Sequence, residues 1–254
     1  MKRLVIKLGT GVLSRAGGRS LDTAQFRRIA GEIAALHKAG TSCILVSSAA
    51  IAAGVRVLGL TGRPDDLPGK QACAAAGQPE LMRLYASSFR PHGLHAAQLL
   101  LTHGDIDSRM HRTNARNTLD RLLAARTVVP VINENDSVAV EELRFGDNDR
   151  LSAEVAQLVR ADHLVILTSV DGLMDATDRR VPVVKDLAAA ARLVRSEKGE
   201  ESVGGMKTKL EAVKLAVGSG IPCTIVDGRK PGRIAAAIAG RDVGTRFPVP
   251  RKKY

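Results

Sequence analysis

Two glycine-containing segments of this sequence have the residue types of a phosphate-binding loop. The first is Lys7-Leu8-Gly9-Thr10-Gly11, which follows an apolar run, and the second extends from Gly204 to Lys209. Backbone N–H groups in glycine-rich turns and at helix starts bind phosphate, and lysine adds fixed positive charge. Neither segment has the GxxxxGK[ST] spacing of a Walker A loop. Taken alone, each is also consistent with a tight turn or a helix start whose lysines face solvent.

Two further segments, Asn133-Glu134-Asn135-Asp136 and Gly146-Asp147-Asn148-Asp149, are dense in carboxylate and amide side chains. Such groups can bind the ammonium and carboxylate of an amino acid, and an aspartate can also hold a lysine in position or recruit metal-bound water. The simpler interpretation is that Asp136 and Asp149 cap helices and the other residues form turns. Ser47-Ser48 follows another apolar run without a GxSxG pattern, which predicts a hydroxyl contact to substrate rather than a nucleophile.

Buried parallel strands must position these segments. Each of five apolar runs ends in polar or glycine residues, which places those residues at the carboxyl ends of strands, where open parallel sheets form their ligand crevice. Amphipathic and alanine-rich segments between the runs predict helices. The predicted strands are residues 4–8, 43–46, 128–132, 163–167 and 222–226. The predicted helices are residues 22–37 and segments near 79–88, 113–126, 149–159 and 207–219.

The chain contains no low-complexity linker and no internal repeat, so we predict a single domain over residues 1–254. We predict a weak boundary near residue 160. It separates a substrate and phosphate lobe, residues 1–160, from a smaller nucleotide lobe, residues 161–248. Because the strands on both sides look alike, we expect an α/β domain with one continuous sheet. The active crevice would cross the top edge of that sheet.

Composition narrows the classes of protein that fit. The net charge of +12 would attract an anionic nucleotide and an acidic substrate, and nucleic acid as well. The basic residues are dispersed apart from Arg251-Lys252-Lys253, and the chain has no Trp and few other aromatic residues, which argues against nucleic-acid binding as the main function. Cys43, Cys73 and Cys223 are too widely spaced for a disulfide framework or a zinc cluster, which favours the cytoplasm. No run approaches the ~20 apolar residues of a membrane helix.

Eight short segments are more specific together than any one of them. They are residues 7–13, 47–54, 70–72, 77–78, 114–119, 133–136, 145–149 and 204–209. In this order they resemble the glutamate 5-kinases of the amino acid kinase family. The similarity spans almost the whole chain and ends at Gly244-Thr245-Arg246-Phe247.

The resemblance implies a fold and an activity. The implied fold is a three-layer α/β/α sandwich around a largely parallel sheet. The implied reaction is the ATP-dependent phosphorylation of the side-chain carboxylate of L-glutamate to glutamyl 5-phosphate, the first step of proline biosynthesis, with Mg²⁺ as the partner of ATP. A homo-oligomer (dimer or tetramer) and feedback inhibition by proline are implied as well. Many members carry a C-terminal PUA domain, and this chain resembles the short form without one.

Matching positions assign residue roles by the same resemblance. Lys7 and Lys209 resemble the two lysines that stabilise the transferring phosphoryl group, and Asp149 resembles the acid that orients them. No protein metal ligand is assigned, because magnesium would be held mainly by phosphates and water. The residues that resemble glutamate contacts are Ser48, Asn133, Asp136, Asp147 and Asn148. The residues expected to contact ATP are Lys7, Gly9, Thr168, Ser169, Gly204, Gly205, Met206, Lys207, Thr208 and Lys209.

Three positions depart from the family pattern. Ala49 stands where the family usually has glycine, so a Cβ enters beside the expected substrate loop or the backbone must adapt. Ser169 replaces a usual aspartate on the nucleotide side, and Ser202-Val203 replaces a usual Gly-Thr. Two alternatives therefore stay open: a paralogue that acts on another acidic substrate, and a catalytically weak regulatory or RNA-binding relative.

Overall fold

A seven-stranded sheet runs through the residues that the computed structural model describes, which are 2–15, 20–139, 148–193 and 205–250. Its strands are β1 Lys2–Leu8, β2 Thr41–Ser47, β3 His95–Leu101, β4 Val128–Glu134, β5 His163–Thr168, β6 Cys223–Asp227 and β7 Gly244–Phe247. Their order across the sheet is β3-β4-β2-β1-β5-β6-β7, and every neighbouring pair is parallel except β6 and β7. The continuous, largely parallel sheet predicted from the sequence is confirmed.

The five predicted strands are present, whereas β3 and β7 were not predicted. Both are edge strands. In β3, Gln98 interrupts the apolar run, and most residues of the strand are half-buried or exposed. β7 has only four residues and begins at Gly244. Edge strands pack against fewer neighbours than central strands do, so their sequences carry a weaker apolar pattern.

The helices connect the strands and cover both faces of the sheet. They are α1 Thr10–Leu13, α2 Thr23–Lys38, α3 Ala50–Val57, α4 Leu67–Phe89, α5 His103–Asp107, α6 Arg109–Ala124, α7 Asn148–Leu158, α8 Leu187–Leu193, α9 Met206–Gly218 and α10 Arg233–Ile238. All five predicted helices occur, but α4 begins well before its predicted start at Pro79. Asp66 caps this helix by accepting a hydrogen bond from Gly69 N at 2.7 Å, and Pro79 lies inside it.

Two hydrophobic cores lie on opposite faces of the sheet. Successive residues of β1 point to opposite faces, so Val5 packs into one core and Ile6 into the other. Leu151 of α7 and Leu210 of α9 belong to the core that contains Val5. Helices α2, α4 and α10 contribute to the opposite core. The protein is therefore a three-layer α/β/α sandwich, as predicted.

Helices α3 and α4 touch through their backbones. A Cβ on Gly54 would overlap the carbonyl oxygen of Cys73, and a Cβ on Gly77 would overlap the carbonyl oxygen of Ala50. Only glycine permits this approach, because any other residue would push the helices apart. The contact fixes the start of α3, which directly follows Ser48 and Ala49.

The three cysteines, Cys43, Cys73 and Cys223, are buried free thiols. Burial raises the pKa of the Cys43 thiol to about 12, so this thiol is not reactive at neutral pH. None of the helices in the described ranges combines the length and the apolar character needed to span a bilayer.

Candidate active site

Lys7, Asp149 and Lys209 form a buried ion cluster at the carboxyl edge of the sheet. Lys7 Nζ lies 2.6 Å from Asp149 Oδ1, and Lys209 Nζ lies 3.3 Å from Asp149 Oδ2. Only 1% of the Asp149 side chain is exposed, and both lysine side chains are buried. The three residues assigned to catalysis from the sequence are therefore brought together, although they come from distant parts of the chain.

The local sequence explains how each group reaches the cluster. Lys7 is next to last in β1, whose neighbours in the sheet are β2 and β5, so it lies near the centre of the top edge. Asp149 stands in the first turn of α7, where the positive end of the helix dipole favours a carboxylate. Lys209 is in the first turn of α9 and is buried. The interpretation that the α9 lysines face solvent is correct for Lys207 and Lys214 and wrong for Lys209.

The electrostatics of the cluster keep Asp149 ionised. Burial by itself would raise the pKa of this carboxyl, but the charges of Lys7 and Lys209 and hydrogen bonds from Lys7 and Thr208 lower its pKa below the usual value. Interpreting Asp149 as a simple helix cap is therefore wrong, because its side chain orients two lysines. Among the described residues, the carboxylate of Asp149 holds two ammonium groups at one point, an arrangement that suits a phosphoryl group.

The loop after β1 leaves space beside the Lys7 ammonium. A Cβ on Gly9 would lie 3.6 Å from Lys7 Nζ and 3.4 Å from the carbonyl oxygen of Leu167. Gly9 N donates to that same carbonyl at 3.3 Å, which ties the loop to β5. A nucleotide phosphate could therefore approach the Lys7 side of the cluster over Gly9 without meeting a side chain there.

A network of hydrogen-bonded polar side chains begins at Asn148, next to Asp149, and extends to β4, α4 and β3. Asn148 Nδ2 donates to Ser48 Oγ at 3.2 Å and to Asn133 Oδ1 at 3.1 Å. Asn133 Nδ2 in turn donates to Gln78 Oε1 at 2.9 Å, and Gln78 Nε2 donates to Gln98 Oε1 at 2.8 Å. Ser48, Asn133 and Asn148, three of the predicted substrate contacts, thus form one connected network.

A cavity of about 420 Å³ opens beside this network. Asp136, a predicted substrate contact, lines this cavity. Burial lowers the pKa of Arg63, and the negative charge of Asp136 partly offsets this effect. The cavity has room for a small amino acid. Its lining residues include Ala50, Ala74, Gln78, Gln98, Glu134 and Asp136. Of the predicted site residues, Asp147 and Gly204 lie outside the described residues.

Ala49 has a left-handed backbone, with φ 81° and ψ 10°, at the N-cap of α3. This region of φ favours glycine, and an alanine there is strained. Ala49 is buried and lies between Ser48 and the first turn of α3. Ala49 therefore stands in a backbone conformation that glycine favours, with its Cβ beside the start of α3.

The predicted nucleotide contacts lie at the carboxyl ends of β5 and at the start of α9. Thr168 ends β5, and Ser169 follows it beside Gly11, where an added Cβ would lie 3.4 Å from Ser169 Oγ. Gly205 is the N-cap of α9, Met206 begins the helix and Lys207 is exposed. Thr208 differs from the expectation, because its hydroxyl donates inward to Asp149 Oδ2 at 3.0 Å.

Two polar residues were given no role from the sequence although they belong to this region. Gln78 is buried and links Asn133 to Gln98, and its only signal was its place in the Gly77-Gln78 segment. His103 Nδ1 lies 2.6 Å from Oε2 of Glu154, a residue of α7. Pairings of this kind depend on tertiary contacts between distant segments, which a single sequence does not display.

A buried carboxylate that holds two lysines at the edge of a parallel sheet suits the chemistry of a phosphoryl-transferring enzyme. The chain belongs to the amino acid kinase family, whose model matches residues 2–227. Within this family, its curated relatives include glutamate 5-kinases. That of Pelobacter propionicus is 46% identical over 254 residues, which cover 97% of this chain and 68% of the relative. That of Thermus thermophilus is 46% identical over 258 residues, covering 100% of this chain and 69% of the relative. That of Myxococcus xanthus is 45% identical over 253 residues. The resemblance read from the sequence is confirmed.

Proposed function

We propose that this chain is a kinase that transfers the γ-phosphoryl group of ATP to the side-chain carboxylate of L-glutamate. The product is glutamyl 5-phosphate, which begins proline biosynthesis. The observation that carries the proposal is the convergence of Lys7 and Lys209 on the buried carboxylate of Asp149. The glutamate 5-kinases that align with nearly the whole chain support the same reaction.

The chemistry needs charge stabilisation more than it needs a base. The γ-carboxylate of glutamate is already ionised near neutral pH, so one of its oxygens can attack the γ-phosphorus directly. A new oxygen–phosphorus bond forms, the bond between that phosphorus and the bridging oxygen of ADP breaks, and ADP leaves. Negative charge spreads over the phosphoryl oxygens during transfer, and the ammonium groups of Lys7 and Lys209 stabilise it. Asp149 keeps both groups in place.

ATP would bind to the second of two lobes, residues 161–248, against Thr168, Ser169 and the start of α9. Gly9 and Lys7 would approach its phosphates from the first lobe, residues 1–160. The positive end of α9 and the amide of Gly205 favour an anion at this point. Gly204 belongs to the same proposed loop and lies outside the described residues.

Magnesium would arrive with ATP and neutralise part of the phosphate charge. In the described ranges, no group of three or more His, Cys, Asp or Glu side chains could hold a metal ion. In kinases, Mg²⁺ is usually held mainly by phosphate oxygens and water. The residues of the site would therefore act on the nucleotide rather than on the metal.

Glutamate would lie between the polar network and the 420 Å³ cavity. Ser48, Asn133 and Asn148 offer hydroxyl and amide groups to its carboxylates, and Asp136 offers a charge to its ammonium group. Asp147, outside the described residues, is proposed as a further contact by its place in the family pattern. The same residues would favour an acceptor that carries an ammonium group beside its carboxylates.

A coupled assay of ADP release tests the proposal. The purified chain is supplied with ATP and magnesium and, in separate reactions, with glutamate, aspartate, N-acetylglutamate or a nucleoside monophosphate. We expect release with glutamate to exceed release with any other acceptor. Release that depends on another acid, with none on glutamate, would identify a paralogue of different specificity. ATP-independent, strongly salt-dependent binding of RNA without turnover would favour a regulatory relative.

Several properties stay predictions. A dimer or tetramer, inhibition by proline and a cytoplasmic location follow only from the resemblance and the cysteine pattern. Light scattering on the purified chain measures its oligomeric state, and a titration of proline in the ADP-release assay measures the inhibition.

A further inference from the structure

A second ion pair lies at the carboxyl ends of β5 and β6, on the nucleotide side of the sheet. Asp227 is the last residue of β6, and its side chain is only 3% exposed. Arg229 turns back toward it, so that Arg229 Nε lies 3.1 Å from Asp227 Oδ1 and Nη2 lies 3.2 Å from Oδ2. This two-point contact fixes the plane of the guanidinium.

The same guanidinium also holds the neighbouring loop. Arg229 Nη2 donates to the carbonyl oxygen of Ser169 at 2.6 Å, and Gly228 N donates to the carbonyl oxygen of Thr168 at 2.9 Å. Ser169 in turn lies beside Gly11 of the loop after β1. Arg229 therefore fixes where the backbone of Ser169 stands relative to the loop that begins at Lys7.

The loop that carries Arg229 is itself held on other sides. Lys230 Nζ lies 2.6 Å from Asp171 Oδ1, and Arg28 of α2 donates to the carbonyl oxygen of Gly228. Burial alone would raise the pKa of Asp227, but hydrogen bonds from Arg229 and the charges of Arg229 and Lys230 lower its pKa below the usual value. The pair is therefore ionised at neutral pH. About half of the Arg229 side chain remains exposed toward solvent.

We propose that Arg229, oriented by Asp227, is a positioning residue for the nucleotide. It holds the Ser169 loop in the place where ATP is proposed to bind, and so it lowers the cost of ordering that loop when the nucleotide arrives. Ser169 stands where the family usually has an aspartate. Because a carboxylate is missing at this position, nucleotide binding in this chain depends more on where the backbone of Ser169 is held. This inference rests on the proposed function in one respect, namely that the nucleotide bound beside Ser169 is ATP.

The test compares Arg229→Ala and Arg229→Lys with Arg241→Ala. Arg241 is exposed, and its side chain makes no hydrogen bond within the described ranges, so its removal controls for the loss of one positive charge. Two quantities are measured: the Kd for ATP by calorimetry without glutamate, and the steady-state constants. For Arg229→Ala we expect the Kd and KM for ATP to rise about tenfold, a loss of about 1.4 kcal/mol. The KM for glutamate should not change, whereas the melting temperature should fall because the buried carboxylate of Asp227 loses its main partner.

Two further variants separate positioning from charge. Arg229→Lys should recover only part of the ATP affinity, because an ammonium cannot donate to Asp227 and Ser169 in the fork geometry of a guanidinium. Asp227→Asn should weaken ATP binding in the same direction. In the double variant the two effects should not add, because both substitutions remove one contact.

The outcomes distinguish this inference from the proposed function. An ATP Kd for Arg229→Ala that matches that of Arg241→Ala overturns the inference while glutamate phosphorylation by the unsubstituted chain stands. Full recovery in Arg229→Lys also overturns it, since charge alone would then suffice. If the unsubstituted chain binds ATP but does not phosphorylate glutamate, the proposed function fails, and a tenfold weaker Kd in Arg229→Ala still supports the inference.

Discussion

The Thr208 hydroxyl, which has one hydrogen, lies 3.0 Å from Asp149 Oδ2 and 2.9 Å from the carbonyl oxygen of Gly205, and the ammonium of Lys209 approaches the same carboxylate oxygen at 3.3 Å. The other oxygen of this carboxylate pairs with Lys7 at 2.6 Å. Two successive residues of α9 thus share one carboxylate oxygen, one through a neutral group and one through a charge. The hydroxyl of Thr208 carries no charge and can orient the carboxylate of Asp149 without neutralising it. Thr208 therefore helps Asp149 to hold Lys7 and Lys209 in position.

Replacing Thr208 tests this orientation. Thr208→Val keeps the shape of the side chain but removes the donor, and a hydrogen bond to a charged group is worth about 1.5–3 kcal/mol. We expect kcat to fall about tenfold or more. Thr208→Ser keeps the hydroxyl and should retain most of the rate. Equal rates for the Val and Ser variants would show that the hydroxyl does not position Asp149.

Removing the Lys209 ammonium tests the proposed charge stabilisation. Lys209→Ala should lower kcat by roughly ten- to a hundredfold, because it deletes a charge that acts on the phosphoryl group during transfer. Lys214→Ala is the matched control, since Lys214 lies on the same helix but is exposed. Steady-state kinetics of both variants are compared with those of the unsubstituted chain. Unchanged turnover in Lys209→Ala would remove Lys209 from the mechanism.

Much of this site could be predicted from the sequence, because its residues follow apolar runs that end at one edge of a parallel sheet. Lys7, Asn133 and Ser169 all stand at or just beyond such ends. The family resemblance, rather than the spacing, separated Lys209 from Lys207 and Lys214. A helix of this kind places neighbouring lysines on different faces, and only packing against α7 decides which face is buried.

Other features depend on contacts that no local pattern reports. The pairing of Gln78 with Asn133 joins α4 to β4, and the pairing of Arg229 with Ser169 joins two loops. The start of α4 at Leu67 was missed because Pro79 resembles a first helical residue, the position that proline favours. Residues 95–101 were missed because an edge strand tolerates polar residues such as Gln98.

The left-handed backbone of Ala49 predicts a stabilising substitution. Ala49→Gly removes the Cβ that strains this conformation, and the gain should exceed the entropy that glycine adds to the unfolded chain. We expect the free energy of unfolding to rise by about 1 kcal/mol. Ala52→Gly, in the interior of α3, should lower it by about the same amount. Urea denaturation measures both, and a loss of stability in Ala49→Gly would contradict the strain.

The backbone contact between α3 and α4 predicts a damaging substitution. A Cβ on Gly77 would overlap the carbonyl oxygen of Ala50, so Gly77→Ala must separate the helices. We expect a loss of about 1–3 kcal/mol in the free energy of unfolding, the usual cost of overpacking. Gly218→Ala is the control, because nothing lies within 4 Å of the added Cβ at the end of α9. Similar stability in the two variants would rule out the close contact.

The pairing of His103 with Glu154 predicts a pH dependence of stability. Burial, which is the largest effect, and the charge of Arg150 lower the pKa of His103. The hydrogen bond to Glu154 and the charges of Glu154 and Glu134 together raise it by more, so the pKa lies above its usual value. A raised pKa in the folded chain stabilises it below the usual value near 6.5, and this contribution disappears as the pH rises through the raised pKa.

His103→Gln removes the titrating group and tests this dependence. The stability that the unsubstituted chain has over the variant should shrink as the pH rises above about 6.5, because His103 contributes only while it is protonated. His92→Gln is the control, since His92 is exposed. Chemical denaturation between pH 6 and 8.5 measures the slopes. Parallel profiles for the His103→Gln variant and the unsubstituted chain would show that this pair does not titrate with folding.

The touching backbones of α3 and α4 also bear on how acceptors are distinguished. Ala50 at the start of α3 and Ala74 and Gln78 on α4 line the same cavity. Since no side-chain layer separates the two helices, the backbones of α3 and α4 cannot draw closer around a smaller molecule. This wall of the cavity is thus rigid, and an acceptor one methylene short would have to be held by movements of the other lining side chains or give up a contact at one end.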